Sequence, residues 1–269
     1  MLAALLWDVD GTLAETERDG HRIAFNRAFA AAGLPWHWDE RRYGELLAVT
    51  GGRERLLHAM RDEPTAPTGD ADRRALAESL HRLKNEHYAG LVAQAGIALR
   101  EGVRELLDEC AGAGVRLGIV TTTSRANVEA LLGSQLGARW RERFEAVVCG
   151  EDAPRKKPDP QAYALALRSM ALPPRDVLAI EDAPAGVAAA RALGIAVIVT
   201  RSHYFAPARV DGVLAAGPSL GRGAGWEPAA RGARIDLPQL ARWHAAALSA
   251  PASTQRAATT PDRAATARR

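Results

Sequence analysis

Two aspartates, one residue apart at the end of the first apolar run, constrain this chain more than any other feature. Leu2–Trp7 is apolar, and Asp8-Val9-Asp10-Gly11-Thr12-Leu13 follows it directly. A run of this length reads as a buried strand. Side chains alternate along an extended chain, so Asp8 and Asp10 can project from one side of the strand end. Gly11 lets the backbone turn away without a Cβ clash. Two like charges this close repel unless a cation or a proton lies between them, which makes the pair a candidate metal and acid/base site. The competing reading is an Asp-rich turn after a strand, which is common.

Beyond Leu13 the pattern turns helical. Apolar spacing predicts helices over Glu15–Ala32, Trp36–Val49, Glu54–Met60 and Arg74–Gln94, the last with Leu76, Leu80, Leu83, His87 and Leu91 on one stripe. A glycine-bearing break, Thr50-Gly51-Gly52-Arg53, interrupts the block. After Ile97, strands at Val115–Val120, Ala146–Cys149, Val177–Ile180 and Ala196–Thr200 alternate with helices, and Ile235–Leu248 is a docking helix. Alternating strands and helices predict an α/β fold, a Rossmann-like parallel sheet covered on both faces, with an all-helical insertion after the first strand. The expected division is a core of 1–14 and 97–248, a helical insertion of 15–96, and a disordered tail of 249–269 that lacks apolar periodicity.

Ligands on such sheets bind at the carboxyl ends of the strands, near a switch in strand order. Asp8/Asp10, Thr121–Thr123, the Lys157 loop and Glu181/Asp182 all follow strands, so residues far apart in sequence converge on one edge. A carboxylate can attack phosphorus and form an aspartyl-phosphate. A hard divalent cation such as Mg2+, held by Asp8 and Asp182, reduces the repulsion between carboxylate and phosphate. Thr122 and Lys157 can hold phosphoryl oxygens, and Asp10 can protonate the leaving oxygen and later activate water. Each residue alone has a plainer reading: a strand end, a solvated lysine, carboxylates at a helix start. Four such coincidences on one sheet edge favour the shared chemistry.

Charge and composition narrow the partners. The chain is 47% hydrophobic and 25% charged, ordinary for a globular protein, and no stretch approaches the roughly 18 apolar residues of a membrane span. The formal charge of +3 resides in Ser249–Arg269, where four arginines face one aspartate, so no basic nucleic-acid surface is expected. Met1–Trp7 has no basic leader and is not expected to be a signal peptide. Cys110 and Cys149 read as core thiols of a reducing compartment. A cytoplasmic monomer without membrane or nucleic-acid partners is expected.

In order and separation, Asp8-Val9-Asp10-Gly11-Thr12, Val120-Thr121-Thr122-Thr123-Ser124, Lys157-Pro158 and Ile180-Glu181-Asp182-Ala183-Pro184-Ala185-Gly186 resemble the haloacid dehalogenase superfamily of phosphotransferases, over about Met1–Val213. The resemblance implies that Asp8 is the nucleophile and Asp10 the general acid/base. It implies a magnesium ion held by Asp8, the Asp10 carbonyl and Asp182, with Glu181 nearby. In the second motif Thr122 is favoured over Thr121, with Thr123 beside them. The helical block looks like the cap of the beta-phosphoglucomutase-like branch, and Thr50-Gly51-Gly52-Arg53-Glu54 resembles its specificity loop. Arg53 and Lys84 would suit a second phosphate, although a solvated helix lysine is as good a reading of Lys84. Glu17 and His21 follow the hinge and would face the site.

The runs Thr16–Arg22, Thr50–Arg55 and Trp226…Arg242-Trp243-His244 are similar to CbbY proteins. That likeness implies a phosphatase removing xylulose 1,5-bisphosphate, a misfire product that inhibits Rubisco in the Calvin cycle. A phosphosugar mutase, a phosphoglycolate phosphatase and a non-catalytic phosphosugar sensor are the alternatives.

Overall fold

The computed structural model describes residues 1–249. In chain order, β1 (Ala4–Trp7) is followed by four helices, α1 (Arg22–Ala31), α2 (Glu40–Leu46), α3 (Gly52–Ala59) and α4 (Asp70–Ala95). Strands and helices then alternate: α5 (Val103–Ala113), β2 (Arg116–Val120), α6 (Arg125–Leu136), β3 (Ala146–Val148), α7 (Gln161–Ser169), β4 (Val177–Glu181), α8 (Pro184–Arg191) and β5 (Ala196–Thr200). Then come β6 (Ala215–Gly217) and α9 (Leu237–Ser249). The strands form one parallel sheet in the order β3-β2-β1-β4-β5-β6, which is the expected α/β architecture.

β1 is apolar at every position because both of its faces are buried. Leu5 and Trp7 join Ile119, Ile180 and Ile198 in one cluster, closed by α5 and α9. Ala4 and Leu6 join Val120, Ala179 and Tyr163 in the cluster on the opposite face, closed by α7 and α8. Strand order reverses at β1, so the ends of β1, β2 and β4 lie side by side. That reversal creates the crevice in which the aspartates sit.

The helical block has a core of its own, built on Phe25, Phe29, Trp36, Trp38, Tyr43, Leu56 and Leu80. Its chain leaves and returns side by side, with Ala14 and Leu99 bridged antiparallel. Half-buried Arg100 fastens this point by donating to the carbonyls of Gly11, Arg201 (2.7 Å) and Pro218 (2.8 Å).

Three helix expectations need correction. The predicted helix Trp36–Val49 begins only at Glu40, because Asp39 caps it by accepting the Arg42 N–H at 2.7 Å. Trp36 and Trp38 precede it in irregular chain and fill the core, with both Trp38 backbone groups held by Asn26. The predicted helix Glu15–Ala32 opens as a wide turn over Glu17–His21, closed by the Arg22 N–H on the Glu17 carbonyl. Such one-residue expansions mark functional sites. On α4, Leu76, Leu83 and His87 are only half-buried, and the inward face is Ala77, Leu80, Lys84, Tyr88, Leu91 and Val92. A lysine inside that face hid the true stripe.

Among the described residues no helix is long and apolar enough to cross a membrane. Cys110 and Cys149 are buried free thiols. The expected disordered tail lies outside the described residues, apart from Ser249, which ends α9.

Candidate active site

Asp8, the first residue past β1, is buried between neighbours of both signs. Lys157 Nζ donates to Asp8 Oδ1 at 2.7 Å, to Glu181 Oε1 at 2.7 Å and to the Val120 carbonyl at 2.8 Å. One ammonium therefore ties the ends of β1, β2 and β4 together. Tyr163 on α7 donates to the same Glu181 oxygen at 2.5 Å. Asp8, Glu181 and Asp182 each offer a carboxylate oxygen, and these oxygens lie within 4.8 Å of one another. Gly11 is required here: its φ is +81°, and a Cβ would sit 2.1 Å from Asp182 Oδ2.

Asp10 lines the same cleft but has different partners. Its Oδ1 accepts from Thr16 Oγ1 at 2.5 Å and lies 2.9 Å from His21 Nε2. The His21 ring stacks on Tyr88 at 4.3 Å, which fixes its orientation. Burial opposes ionisation of Asp10, but the His21 charge and the two hydrogen bonds outweigh it and hold the carboxyl down to about 2. Asp8 behaves oppositely. Burial, only partly offset by Lys157, and the charges of Glu181 and Asp10 push it up to about 8. Asp182 is raised well above the ordinary range by burial and by Asp8. Two carboxyls two positions apart thus occupy opposite protonation regimes.

A cleft of about 370 Å³ holds Asp8, Asp10, Glu17, Arg55, Thr122 and Lys157. A second, of about 350 Å³, adjoins it through Thr122 and contains Arg53, Ser124, His81 and Lys156. Of the three threonines, Thr122 lines both clefts. Thr121 does not reach either: its N–H bonds the Val148 carbonyl and its hydroxyl accepts the Thr123 N–H at 3.2 Å. Thr123 accepts from Asn127 at 3.1 Å and borders a small cavity of about 30 Å³ with Asp10, His21 and Lys84. Lys84 is buried rather than solvated, its Nζ lying 5.3 Å from the Phe25 ring and 5.5 Å from the Tyr88 ring. Arg53 is exposed and pairs with Glu54 at 3.4 Å.

Residues 2–194 match the haloacid dehalogenase-like hydrolases. This chain belongs to that family. A CbbY protein of Cupriavidus necator is 42% identical to it over 247 residues, covering 90% of this chain and 97% of the relative. CbbY of Cereibacter sphaeroides is 44% identical over 204 residues, covering 76% of this chain and 86% of the relative. Among solved structures, CbbY from Rhodobacter sphaeroides in complex with xylulose-(1,5)bisphosphate superposes with a TM-score of 0.78 at 39% identity, covering 84% of this chain and 97% of that one. The hydrolase is an enzyme of the phosphatase kind, as the motif order implied.

In this hydrolase the site also contains residues that the sequence reading passed over. Arg55, three positions into α3, is the arginine that enters the Asp8 cleft. It donates to Tyr43 Oη at 2.9 Å and lies 3.8 Å from Glu17, while Tyr43 donates to Glu17 at 2.5 Å. Its proximity to the glycine break was the available signal, but α3 starts at Gly52, so Arg53 faces the second cleft and Arg55 the first. Asn127 on α6 donates to Asn85 on α4 at 3.1 Å, joining the helical block to the sheet layer. Thr50 donates to the carbonyl of Lys157, a second such link.

The acidic trio fits a hard divalent cation, because three buried carboxylates lie together and the one lysine among them pairs only with Asp8 and Glu181. This makes stability depend on pH in a defined sense. The folded-state pKa of Asp8, about 8, exceeds its ordinary value of 3.8. Its stabilising contribution is therefore complete below about pH 4 and is lost as pH rises towards about 8. Asp182 acts in the same direction. A cation held by the ionised forms offsets that loss. Thermal denaturation is expected to show a larger rise in Tm on adding Mg2+ at about pH 8 than at about pH 5. Equal rises at both would contradict the assignment of these carboxylates as ligands.

Proposed function

We propose that the enzyme is a magnesium-dependent phosphatase of a sugar bisphosphate, most specifically xylulose 1,5-bisphosphate, acting through an aspartyl-phosphate on Asp8. The observation that carries this reading is the division of labour between Asp8 and Asp10. Asp8 Oδ1 is held by Lys157, in a cluster of three buried carboxylates of a kind that can hold a cation. Asp10 is directed to His21 and Thr16, on the side of the helical block.

In the proposed mechanism Asp8, Glu181 and Asp182 would hold Mg2+, together with the Asp10 carbonyl. The bound ion would neutralise charge between nucleophile and phosphoryl oxygens. Asp8 attacks phosphorus, and the bond to the ester oxygen breaks. Lys157 and Thr122 hold the phosphoryl oxygens as the charge redistributes. Asp10 is ionised in the free protein, and an arriving phosphate raises its proton affinity by like-charge repulsion. It takes up a proton from solvent as substrate binds, passes it to the leaving alkoxide, accepts another from the water that cleaves the acyl-phosphate and returns that one to solvent. The helical block acts as a cap that excludes water during the first step. Glu17, His21 and Lys84 border the small cavity beside Asp10, on the side from which the leaving group departs in this reading.

The second cleft supports a bisphosphate over a monophosphate. Arg53 and Lys156 border it, and Thr122 joins it to the first. Arg53→Ala is expected to raise KM for xylulose 1,5-bisphosphate about 10-fold and change that for p-nitrophenyl phosphate less than about 2-fold. Equal losses on both would remove the distal-phosphate assignment. The proposal as a whole is tested by phosphate release over sugar mono- and bisphosphates with and without Mg2+. Stoichiometric phosphate from xylulose 1,5-bisphosphate only with Mg2+ is expected. An isomerised sugar phosphate without phosphate release would make it a mutase.

A further inference from the structure

His81, on α4 at the edge of its inward face, has no role in the mechanism above, yet it stands at the junction of the cavities. It borders both the second cleft, with Arg53 and Lys156, and the small cavity, with Asp10 and Lys84. Its ring lies against Gly52, where a Cβ would approach Nε2 to 2.9 Å and Cδ2 to 3.0 Å. The imidazole thus occupies the space that a side chain at the start of α3 would fill. Among the described residues its ring nitrogens have no hydrogen-bond partner, and neither is a sealed polar atom.

We infer that His81 reads the hydroxyl-bearing carbon chain of the substrate between its two phosphates, donating from one ring nitrogen and accepting at the other. The inference rests on the sugar bisphosphate reading and extends it. A bisphosphate bound between Asp8 and Arg53 passes the wall that Thr122 and His81 share. Lys84, Arg53 and Lys156, the cations around His81, suit phosphate by charge and cannot accept a hydrogen bond. His81 can accept one, because it is neutral. Burial, then the charges of Lys84, His21 and Arg53, hold it down to about 3. A neutral imidazole suits a hydroxyl or keto oxygen, and its other ring nitrogen offers a lone pair to a hydroxyl proton. A site with such a group rejects ligands that leave it unpaired.

The test compares xylulose 1,5-bisphosphate with pentane-1,5-diol bisphosphate, which keeps both phosphates and has no hydroxyls. His81→Ala is expected to raise KM for the sugar about 10-fold and to leave the inhibition constant of the diol bisphosphate within about 2-fold. His81→Gln, whose amide both donates and accepts, is expected to recover most of the sugar affinity. Equal weakening of both ligands, or no weakening of either, would overturn the role of His81. Native protein that hydrolyses no sugar bisphosphate would remove the functional reading itself. Native turnover with an unchanged His81→Ala variant would remove this inference alone.

Discussion

An Asp8→Asn variant is expected to release phosphate at least about 10³-fold more slowly than the native enzyme while keeping its fold. The amide is close in shape to the carboxylate but cannot attack phosphorus. Its effect on stability should be small for a reason visible in the site. In the metal-free protein burial and neighbouring acids push Asp8 up to about 8, so near neutral pH the native residue is already largely uncharged. Lys157 keeps Glu181 as its partner at 2.7 Å after the change. Without Mg2+ the variant should therefore melt at or above the native temperature at about pH 8, and the gain from Mg2+ should shrink. Steady-state phosphate release and thermal melting check the two halves separately. Turnover within about 10-fold of native would mean that another group is the nucleophile.

Lys157→Ala should show the largest combined loss. The lysine is 4% exposed and is the ammonium shared by Asp8 and Glu181. Removing one partner of a buried ionic cluster costs about 3–5 kcal/mol, because uncompensated charge stays behind. For a domain of this size that corresponds to a fall in Tm of about 6–20 °C. The penalty has a sign with pH: Asp8, pushed up to about 8, is protonated at about pH 5 and increasingly ionised towards about pH 8, where the missing ammonium matters more, so the fall should be greater at the higher pH. Activity should drop by at least about 10²-fold, since a fixed charge on the phosphoryl oxygens is lost. Mg2+ should restore part of the stability, having carboxylates to hold, and little of the activity. A small fall in Tm, independent of pH, would show that Lys157 does not hold the cluster together.

Much of this was legible before the coordinates, and the parts that were not share physical causes. Apolar runs that end in polar residues located the strand ends, because a strand buried on both faces leaves no other pattern. Asp8, Asp10, Lys157, Glu181 and Asp182 followed from those ends. The threonine register was not legible, because three chemically identical side chains differ only in backbone pairing. The bond from the Thr121 N–H to the Val148 carbonyl continues the β2–β3 pairing and turns Thr122 to the clefts. Lys84 and Arg55 were hidden for another reason. Hydropathy assigns charged residues to the solvent side, and these two are buried instead, bordering the cavities beside Asp10. Trp36 and Trp38 misled the helix assignment, since core aromatics in irregular chain carry the same apolar signal as a helix. The short polar cap at Asp39 was the better indicator.

During turnover Asp8 is expected to carry the phosphoryl group. Rapid mixing of enzyme with xylulose 1,5-bisphosphate and Mg2+, acid quench, reduction of any acyl-phosphate with borohydride and peptide mass spectrometry would observe it directly. Reduction confined to Asp8, absent without substrate and absent in Asp8→Asn, is the expected result. Full single-turnover phosphate release with Asp8 unmodified at every quench time, or modification at Asp10 instead, would contradict it.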